Sequence, residues 1–325
     1  HIMPPLHSPF VSLKPGDVIE LPKSDSLSVS WHQWSRAEID ALTLAFAAGR
    51  PLLVRGEPGT GKTQLARAAA KCLGWHLHSE TIHPRFEPHE LLYRFDAVKR
   101  LADAQAKEPN LDERQYWRPG VLWKAFGWES ARRFQMDSVP EKAPEGHVVL
   151  IDEIDKADSD LPNSLLEVLA QRSFRVEPVA TPIGGPGVRL PLIVITTNEE
   201  RELPAAFLRR CIVLSLAPDS NYEDWLVCRG LAHFGVQAHI PDRTVERMNV
   251  CVLKEAARQL NHDRESVKRL NLSPPGLAEY LDLLNALLEI TKDMEDPFRT
   301  AAQIEWLGHL SAYSFLKHPV DDATS

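Results

Sequence analysis

Predominantly apolar runs recur through the first two thirds of the chain, at residues 51–54, 148–151, 192–196 and 212–216, with Thr196 and Ser215 the polar members of the last two. A strand that is apolar at nearly every position is covered on both faces, the signature of a parallel sheet packed between helices. Between these runs the period lengthens. Ser35 opens a helical stretch as its cap, with Glu38 as the capping-box partner three residues on and Ile39, Leu42, Leu44 and Phe46 following. Residues 64–74 are rich in alanine and close on Gly74, a helix with a C-terminal stop. Residues 76–82 predict a further strand, and 88–107 a helix carrying Leu91, Leu92, Phe95, Val98 and Leu101 on one side. A short helix at 121–126 and an amphipathic one at 161–171 follow. Residues 173–179 and 188–192 flank Gly184-Gly185-Pro186-Gly187 and predict a hairpin across that turn. Apolar strands alternating with helices specify a doubly wound α/β layer and not a sandwich or a bundle.

Beyond Pro218 the strand pattern stops. Residues 219–317 read as helical, including 276–290, where Leu277, Tyr280, Leu281, Leu284 and Leu288 share a face behind a Ser273-Pro274 start signal. Residues 4–35 are rich in Pro and Ser with short β-like pieces such as 17–21, an irregular arm. The chain therefore divides into an arm (1–35, with 1–3 a cloning scar before a native Met3), an α/β domain (36–217) and a smaller helical domain (218–325) whose tail frays after His318.

Residues 56–63 read GEPGTGKT and fit the phosphate-loop template G-x-x-x-x-G-K-[ST] at every fixed position. Gly56, Gly59 and Gly61 let the backbone bend so that successive N–H groups point inward at an anion, with Glu57, Pro58 and Thr60 between them. Lys62 reaches the β- and γ-phosphates, the Thr63 hydroxyl ligates Mg²⁺, and Gln64 continues into the helix whose N-terminus faces the phosphates. An apolar strand precedes the loop and a helix follows it, the order the motif requires. Downstream, the apolar run 148–151 ends in Asp152-Glu153. Asp152, at the carboxyl end of its strand, holds the Mg²⁺ water shell opposite Thr63, and Glu153 polarises the attacking water as a general base.

Composition narrows the classes. At 325 residues with 43% hydrophobic content the chain can bury a sizeable core. A net charge of −8 argues against a nucleic-acid-binding surface or an acidic-membrane partner. Cys72, Cys211, Cys228 and Cys251 lie far apart without C-x-x-C pairing, which suits a reducing cytoplasm better than a disulfide framework or a zinc site. No apolar run approaches a membrane span, and the start of the chain lacks the apolar core of a signal peptide.

The phosphate loop, Leu150-Ile151-Asp152-Glu153, Thr196-Thr197-Asn198 at a strand end and Leu208-Arg209-Arg210-Cys211 before the last strand together resemble the AAA+ ATPases, over about residues 36–217. The helical remainder resembles the AAA+ lid. Trp117-Arg118-Pro119-Gly120-Val121-Leu122 and the hairpin after 161–171 are similar to the MoxR and dynein-related branch. The resemblance implies a P-loop NTPase core with ATP and Mg²⁺ as cofactors, Asn198 as the polar sensor of the γ-phosphate or lytic water, and Arg209 or Arg210 as an arginine finger acting on a neighbouring subunit. Two adjacent arginines suggest one finger and one helix-capping partner, with Arg210 favoured as the finger by motif position. It further implies a homo-oligomeric ring, commonly a hexamer in that family, and a protein client, for which a metal-binding adhesion-type domain is one candidate. One element departs from the pattern: many AAA+ lids present an arginine where this chain reads Leu272-Ser273-Pro274-Pro275-Gly276, leaving Lys268 or Arg269 as substitutes.

Pore-facing loops are expected among residues 83–89, with Arg85 and Phe86, and in the hairpin with Phe174 and Arg175; the alternative is that these aromatics pack against the sheet. His76, His78, His83 and His89 are read as satisfied or solvated and not as metal ligands. Trp31, Trp34 and Ile39 are candidates for an adenine pocket or for core. Three functions compete: an ATP hydrolase that remodels a protein, a slowly hydrolysing switch or scaffold, and a nucleic-acid motor like the GTP-driven restriction ATPases. ATP is preferred over GTP by resemblance, since no N-K-x-D guanine motif is present.

Overall fold

The computed structural model describes residues 8–23, 29–106, 112–134, 143–217, 221–235, 248–269 and 274–314, with side chains to 310. Residues 1–3, Pro218, Ser273 and the residues after His318, on which sequence expectations fell, lie outside the described residues. The chain forms two compact units, one made of 1–15, 34–56 and 62–215, the other of 16–33, 57–61 and 216–325.

The first unit is built on a five-stranded parallel sheet. Its strands are β1 (Leu52–Arg55), β2 (His76–Thr81), β3 (His147–Asp152), β4 (Leu192–Thr197) and β5 (Ile212–Ser215), in the spatial order β5-β1-β4-β3-β2. Helices α1 (Arg36–Ala48), α2 (Lys62–Leu73), α3 (Val121–Phe126), α4 (Asp160–Gln171) and α5 (Ala205–Leu208) flank it. Every residue of β4 is buried, as are all of β3 but Asp152, which explains why these strands carry no hydrophilic face. Ser35 caps α1 as its sequence requires: Ser35 Oγ accepts from Glu38 N at 3.3 Å and Glu38 Oε2 accepts from Ser35 N at 2.7 Å. Gly49, in the left-handed region at φ 60°, ends the helix. A cap of this kind stabilises by about 1 kcal/mol. Trp123 and Phe207 anchor the core beside the sheet, fully buried, and each such side chain contributes on the order of 2–3 kcal/mol by burial. The Trp123 indole N–H is satisfied by Ser130 Oγ at 2.8 Å.

Two predicted elements are different in the structure. The helix expected at 88–107 is three pieces: a 3-10 turn at Pro88–Leu91, a strand at Tyr93–Phe95 and a helix at Ala97–Gln105. Tyr93 and Phe95 pair across to Trp117–Pro119, their rings 5.1 and 4.7 Å from that of Trp117, and Asp96 restarts the helix by accepting from Lys99 N at 2.9 Å. The aromatic cross-strand contact and the new cap outweigh the helical period. Leu91 is buried, whereas Val98 and Leu101 face outward at 81% and 60% exposure. The hairpin after α4 pairs Ser173–Phe174 with Ile183–Gly184, not 173–179 with 188–192. Gly184 is thus a paired residue: at φ 86° a Cβ there would lie 2.4 Å from the Arg172 carbonyl oxygen.

The second unit is helical: α6 (Tyr222–Phe234), α7 (Val250–Arg269), α8 (Leu277–Ile290) and α9 (Phe298–Ser314). Its core joins Leu226, Phe234, Leu253, Leu260, Tyr280, Leu284 and Leu307. On α8 the buried face is Leu277, Tyr280, Leu283, Leu284 and Leu287, while Leu281 and Leu288 are half-buried, a rotation of the expected stripe by part of a turn. Tyr280 donates to the Leu253 carbonyl at 2.9 Å, and burial pushes its hydroxyl pKa up. Part of the segment read as an irregular arm is a pair of antiparallel strands, Val18–Leu21 with Ser30–Gln33. It belongs to this unit, held by Arg229 Nη1 donating to Gln33 O at 2.7 Å and by an edge contact of Trp31 with His233 at 5.7 Å.

Candidate nucleotide-binding and catalytic site

Parallel register brings one edge of the sheet to a single crest. Thr81 pairs with Asp152, and both Thr197 and Ser215 pair with Arg55, so the carboxyl ends of all five strands lie side by side. This is where open α/β sheets take their ligands. After β1 the chain enters the loop at Gly56 and starts α2 at Lys62. Lys62 is buried at 7% exposure and donates to the Gly56 carbonyl at 2.7 Å. Burial lowers its pKa, and the nearby Asp152, Glu153, Asp155 and Glu199 oppose that shift. A buried ammonium at a helix N-terminus is suited to receive an anion.

Thr63, one residue into α2, donates to Asp152 at 3.0 Å from Oδ2 and 3.2 Å from Oδ1. Asp152 is also held by Thr196, whose hydroxyl donates to Oδ1 at 2.5 Å and accepts from Glu153 N at 2.9 Å. Glu153 has left-handed backbone, φ 60° and ψ 51°, which turns the chain off the strand and places its carboxylate beside the next strand end. There Asn198 Nδ2 donates to Glu153 Oε1 at 3.0 Å. The turn after β4 is pinned by Asp155, a buried carboxylate that accepts from Asn198 N at 3.3 Å and Glu200 N at 2.9 Å. The structure thus gathers Lys62, Thr63, Asp152, Glu153 and Asn198 in one cluster. It adds two residues to which sequence reasoning gave no role, Thr196 and Asp155. Thr196 and Thr197 end an otherwise apolar, fully buried strand, and buried hydroxyls there were the signal that could have found Thr196.

The tip of the loop, residues 57–61, counts with the helical unit. Thr60 Oγ1 donates to Glu57 O at 2.9 Å, and Gly59 and Gly61 have φ of 78° and 92°. At Gly61 a Cβ would meet nothing within 4 Å, so glycine is required there by conformation and open space remains beside it. Glu57 pairs with Arg264 of α7, a guanidinium 4% exposed that also donates to Pro275 O at 2.8 Å and lies over the Tyr222 ring at 4.4 Å. Lys268 and Arg269, the expected substitutes for a lid arginine, are exposed. Arg264 is instead the helical-unit arginine that engages the loop tip, five residues upstream of Arg269. Its position mid-way down a helix hid it from a search at helix starts.

Other candidates disperse. Arg209 and Arg210 are exposed after α5, with Arg210 Nη1 at 3.5 Å from Ala206 O; among the described residues Arg209 makes no side-chain hydrogen bond or ion pair. Gln64 accepts from Arg67 at 2.9 Å. Phe86 is 5% exposed and packed in the core, so only Arg85 of that pair faces solvent. Phe174 packs edge-on against Phe126 at 6.2 Å, and Arg175 is exposed. Trp34 and Ile39 are core residues, at 2% and 4% exposure, with Phe10 against Trp34 at 6.5 Å. His78 Nε2 lies 3.0 Å from His147 Nδ1 with the two rings stacked, and the rings of His76 and Trp128 lie tilted beside them. Among the described residues no group of three or more His, Cys, Asp or Glu side chains could hold a metal ion.

The residues present fit a nucleotide triphosphate with Mg²⁺. A hydroxyl and a carboxylate meet at Thr63 and Asp152, the hard oxygen donors that Mg²⁺ takes. The buried ammonium of Lys62 at the start of α2 suits phosphate oxygens. Fold and crest together define a P-loop nucleotide-binding domain. Residues 51–211 match the family described as AAA domain, dynein-related subfamily, and this part of the chain belongs to it. No curated protein matches the sequence. Among solved structures, similarity extends to a candidate ATPase from Cytophaga hutchinsonii at 15% identity and TM-score 0.39, covering 69% of this chain and 57% of that one. A second is the Thermotoga maritima RuvB Holliday junction branch migration motor, at 16% identity and TM-score 0.41, covering 84% of this chain and 68% of that one. The present chain thus spans little more than half the length of the first. No described helix is long and apolar enough to cross a membrane.

Proposed function

We propose that this protein is a Mg²⁺-dependent ATPase of MoxR-like type that works as a cytoplasmic homo-oligomeric ring, a hexamer, and remodels a protein client. The observation that carries the reading is the contact of Asn198 with Glu153 at 3.0 Å, next to Thr63 on Asp152. It supports an arrangement in which one carboxylate serves the metal and the other serves water. Mg²⁺, when bound, neutralises phosphate charge and draws electron density toward the leaving group. Lys62 and the loop amides hold the phosphates, and Thr63 and Asp152 hold the ion. Glu153 accepts a proton from the attacking water, oriented by the Asn198 amide. The finger from a neighbouring subunit is Arg209 on this geometry, since Arg210 lies against the carbonyl end of its own helix. That reverses the preference drawn from motif position.

The test is ATP turnover across size-exclusion fractions of the full chain. Activity is expected to rise with assembly, and chelation of Mg²⁺ with EDTA is expected to remove it, with return on adding the ion back. Turnover that survives EDTA, or that is as fast in monomer fractions as in assembled ones, would reject the proposal. Negligible turnover with nucleotide-dependent assembly would replace it by the switch or scaffold.

A further inference from the structure

Helix α5 has only four residues, Ala205–Leu208, and ends directly in Arg209-Arg210 before β5. A helix end exposes carbonyls with no intrahelical donor, and in so short a helix they make up much of the structure. The helix's own last carbonyls, those of Ala205, Phe207 and Leu208, accept from the backbone N–H groups of Arg209, Arg210 and Cys211, and the next two carbonyls, those of the arginines themselves, are both taken by one side chain. Arg50 Nε donates to Arg210 O at 3.0 Å, and Arg50 Nη2 donates to Arg209 O. Arg50 sits between the Gly49 stop of α1 and the start of β1, so its backbone is anchored on both sides. Next to it, Pro51 O accepts from Ile212 N at 2.9 Å, and the Cys211 side chain is buried at 6% exposure. The segment 209–212 is therefore fixed at the backbone by Arg50 and Pro51 and at the side chain by Cys211. Both finger candidates leave that backbone toward solvent.

We infer that Arg50 is a positioning residue for catalysis in trans: its planar fork sets the backbone from which the arginine finger projects into the neighbouring subunit's site. The inference rests on the ring reading above and deepens it. The guanidinium suits the task because two donors in a fixed plane can meet two successive carbonyls, which a lysine ammonium on a flexible stem does with less geometric definition. Arg50 has no part in its own subunit's phosphate site; the distinctive consequence is that its loss harms the neighbour and spares the subunit that carries it.

Mixed assemblies test this. Arg50→Ala is expected to bind a fluorescent ATP analogue within about twofold of the unmodified chain while assembled ATP turnover falls at least about tenfold, a fraction of what an arginine finger supplies. Glu153→Gln subunits have a dead site and an intact finger. Mixed in equal amounts with Arg50→Ala subunits, they are expected to restore turnover to at least about twice the sum of the two separate rates, because an intact site meets an intact finger at every contact of the right order between the two. Arg50→Lys, which keeps the charge and loses the fork, is expected to fall between and guards against a folding defect in the alanine variant. Arg209→Ala mixed with Glu153→Gln is the control for the ring reading. If that control recovers activity and neither Arg50 variant does, the role of Arg50 is overturned while the trans finger stands. If neither control nor Arg50 mixture gains, the trans arrangement falls and the inference falls with it. Unchanged turnover in assembled Arg50→Ala also overturns it.

Discussion

Replacing Glu153 by glutamine is expected to leave nucleotide affinity within about twofold and to cut turnover by at least about 100-fold, the usual contribution of a positioned general base. The amide keeps the size of the side chain and its carbonyl oxygen can still accept from Asn198, so the cluster retains its shape. What it loses is a group able to take a proton from water. Lys62→Ala should behave in the opposite way. It removes an ammonium that nothing else in the first unit's cluster replaces, and a charge-assisted hydrogen bond of about 1.5–3 kcal/mol corresponds to roughly 10- to 100-fold weaker binding. Equilibrium binding of a fluorescent ATP analogue alongside steady-state turnover separates the two effects. A Glu153→Gln protein that turns over at the normal rate would remove Glu153 from the mechanism, and tight binding by Lys62→Ala would remove the phosphate role of the loop lysine.

The second large effect is on stability and comes from the other edge of the sheet. His78 and His147 sit on β2 and β3, with His76 beside them, Trp128 across their rings, and Lys124 the nearby cation. Burial first, then the neighbouring histidines, pushes His78 down to about 2; burial and His76 push His147 down to about 4. Both fall below the ordinary value of 6.5, so the folded state keeps these rings neutral where the unfolded chain takes up protons. Below pH 6.5 the unfolded state therefore binds more protons, and stability falls with pH: for His147 until about 4, for His78 until about 2. At pH 5 the two groups together withdraw up to roughly 4 kcal/mol, a large share of an ordinary domain's stability. The urea midpoint of the chain is expected to drop steeply between pH 7 and 5, and His78→Gln to flatten that slope by about half. An equal slope in the variant would show that acid acts elsewhere.

The phosphate loop and Asp152-Glu153 could be read directly because their chemistry depends on spacing along the chain. The parallel strands were equally legible, since burial on both faces leaves no polar positions in β3 or β4 apart from strand ends. Harder to see was anything set by contacts between distant segments. Phe95 reads as part of one face of a helix with Leu91, Leu92, Val98 and Leu101 until Trp117 is available as a partner. Ile183-Gly184 looks like the approach to a turn, yet it pairs back on Ser173-Phe174. Phe86 gave no sign of whether it faced a pore or the core, because exposure of a loop aromatic is decided by what packs over it. Arg264 and Arg50 were invisible for a related reason. An arginine is marked by its partner, and Glu57 lies 207 positions from the first while Arg209 lies 159 from the second.

Left-handed backbone at Glu153 has a practical consequence for engineering. Glycine is the residue that geometry favours there, and it would relieve a clash worth roughly 1 kcal/mol while adding an entropic cost of similar size. A Glu153→Gly protein should therefore melt near the temperature of the parent and yet be inert. Any selection for heat tolerance alone would accept it, so durability and turnover have to be screened separately at this position.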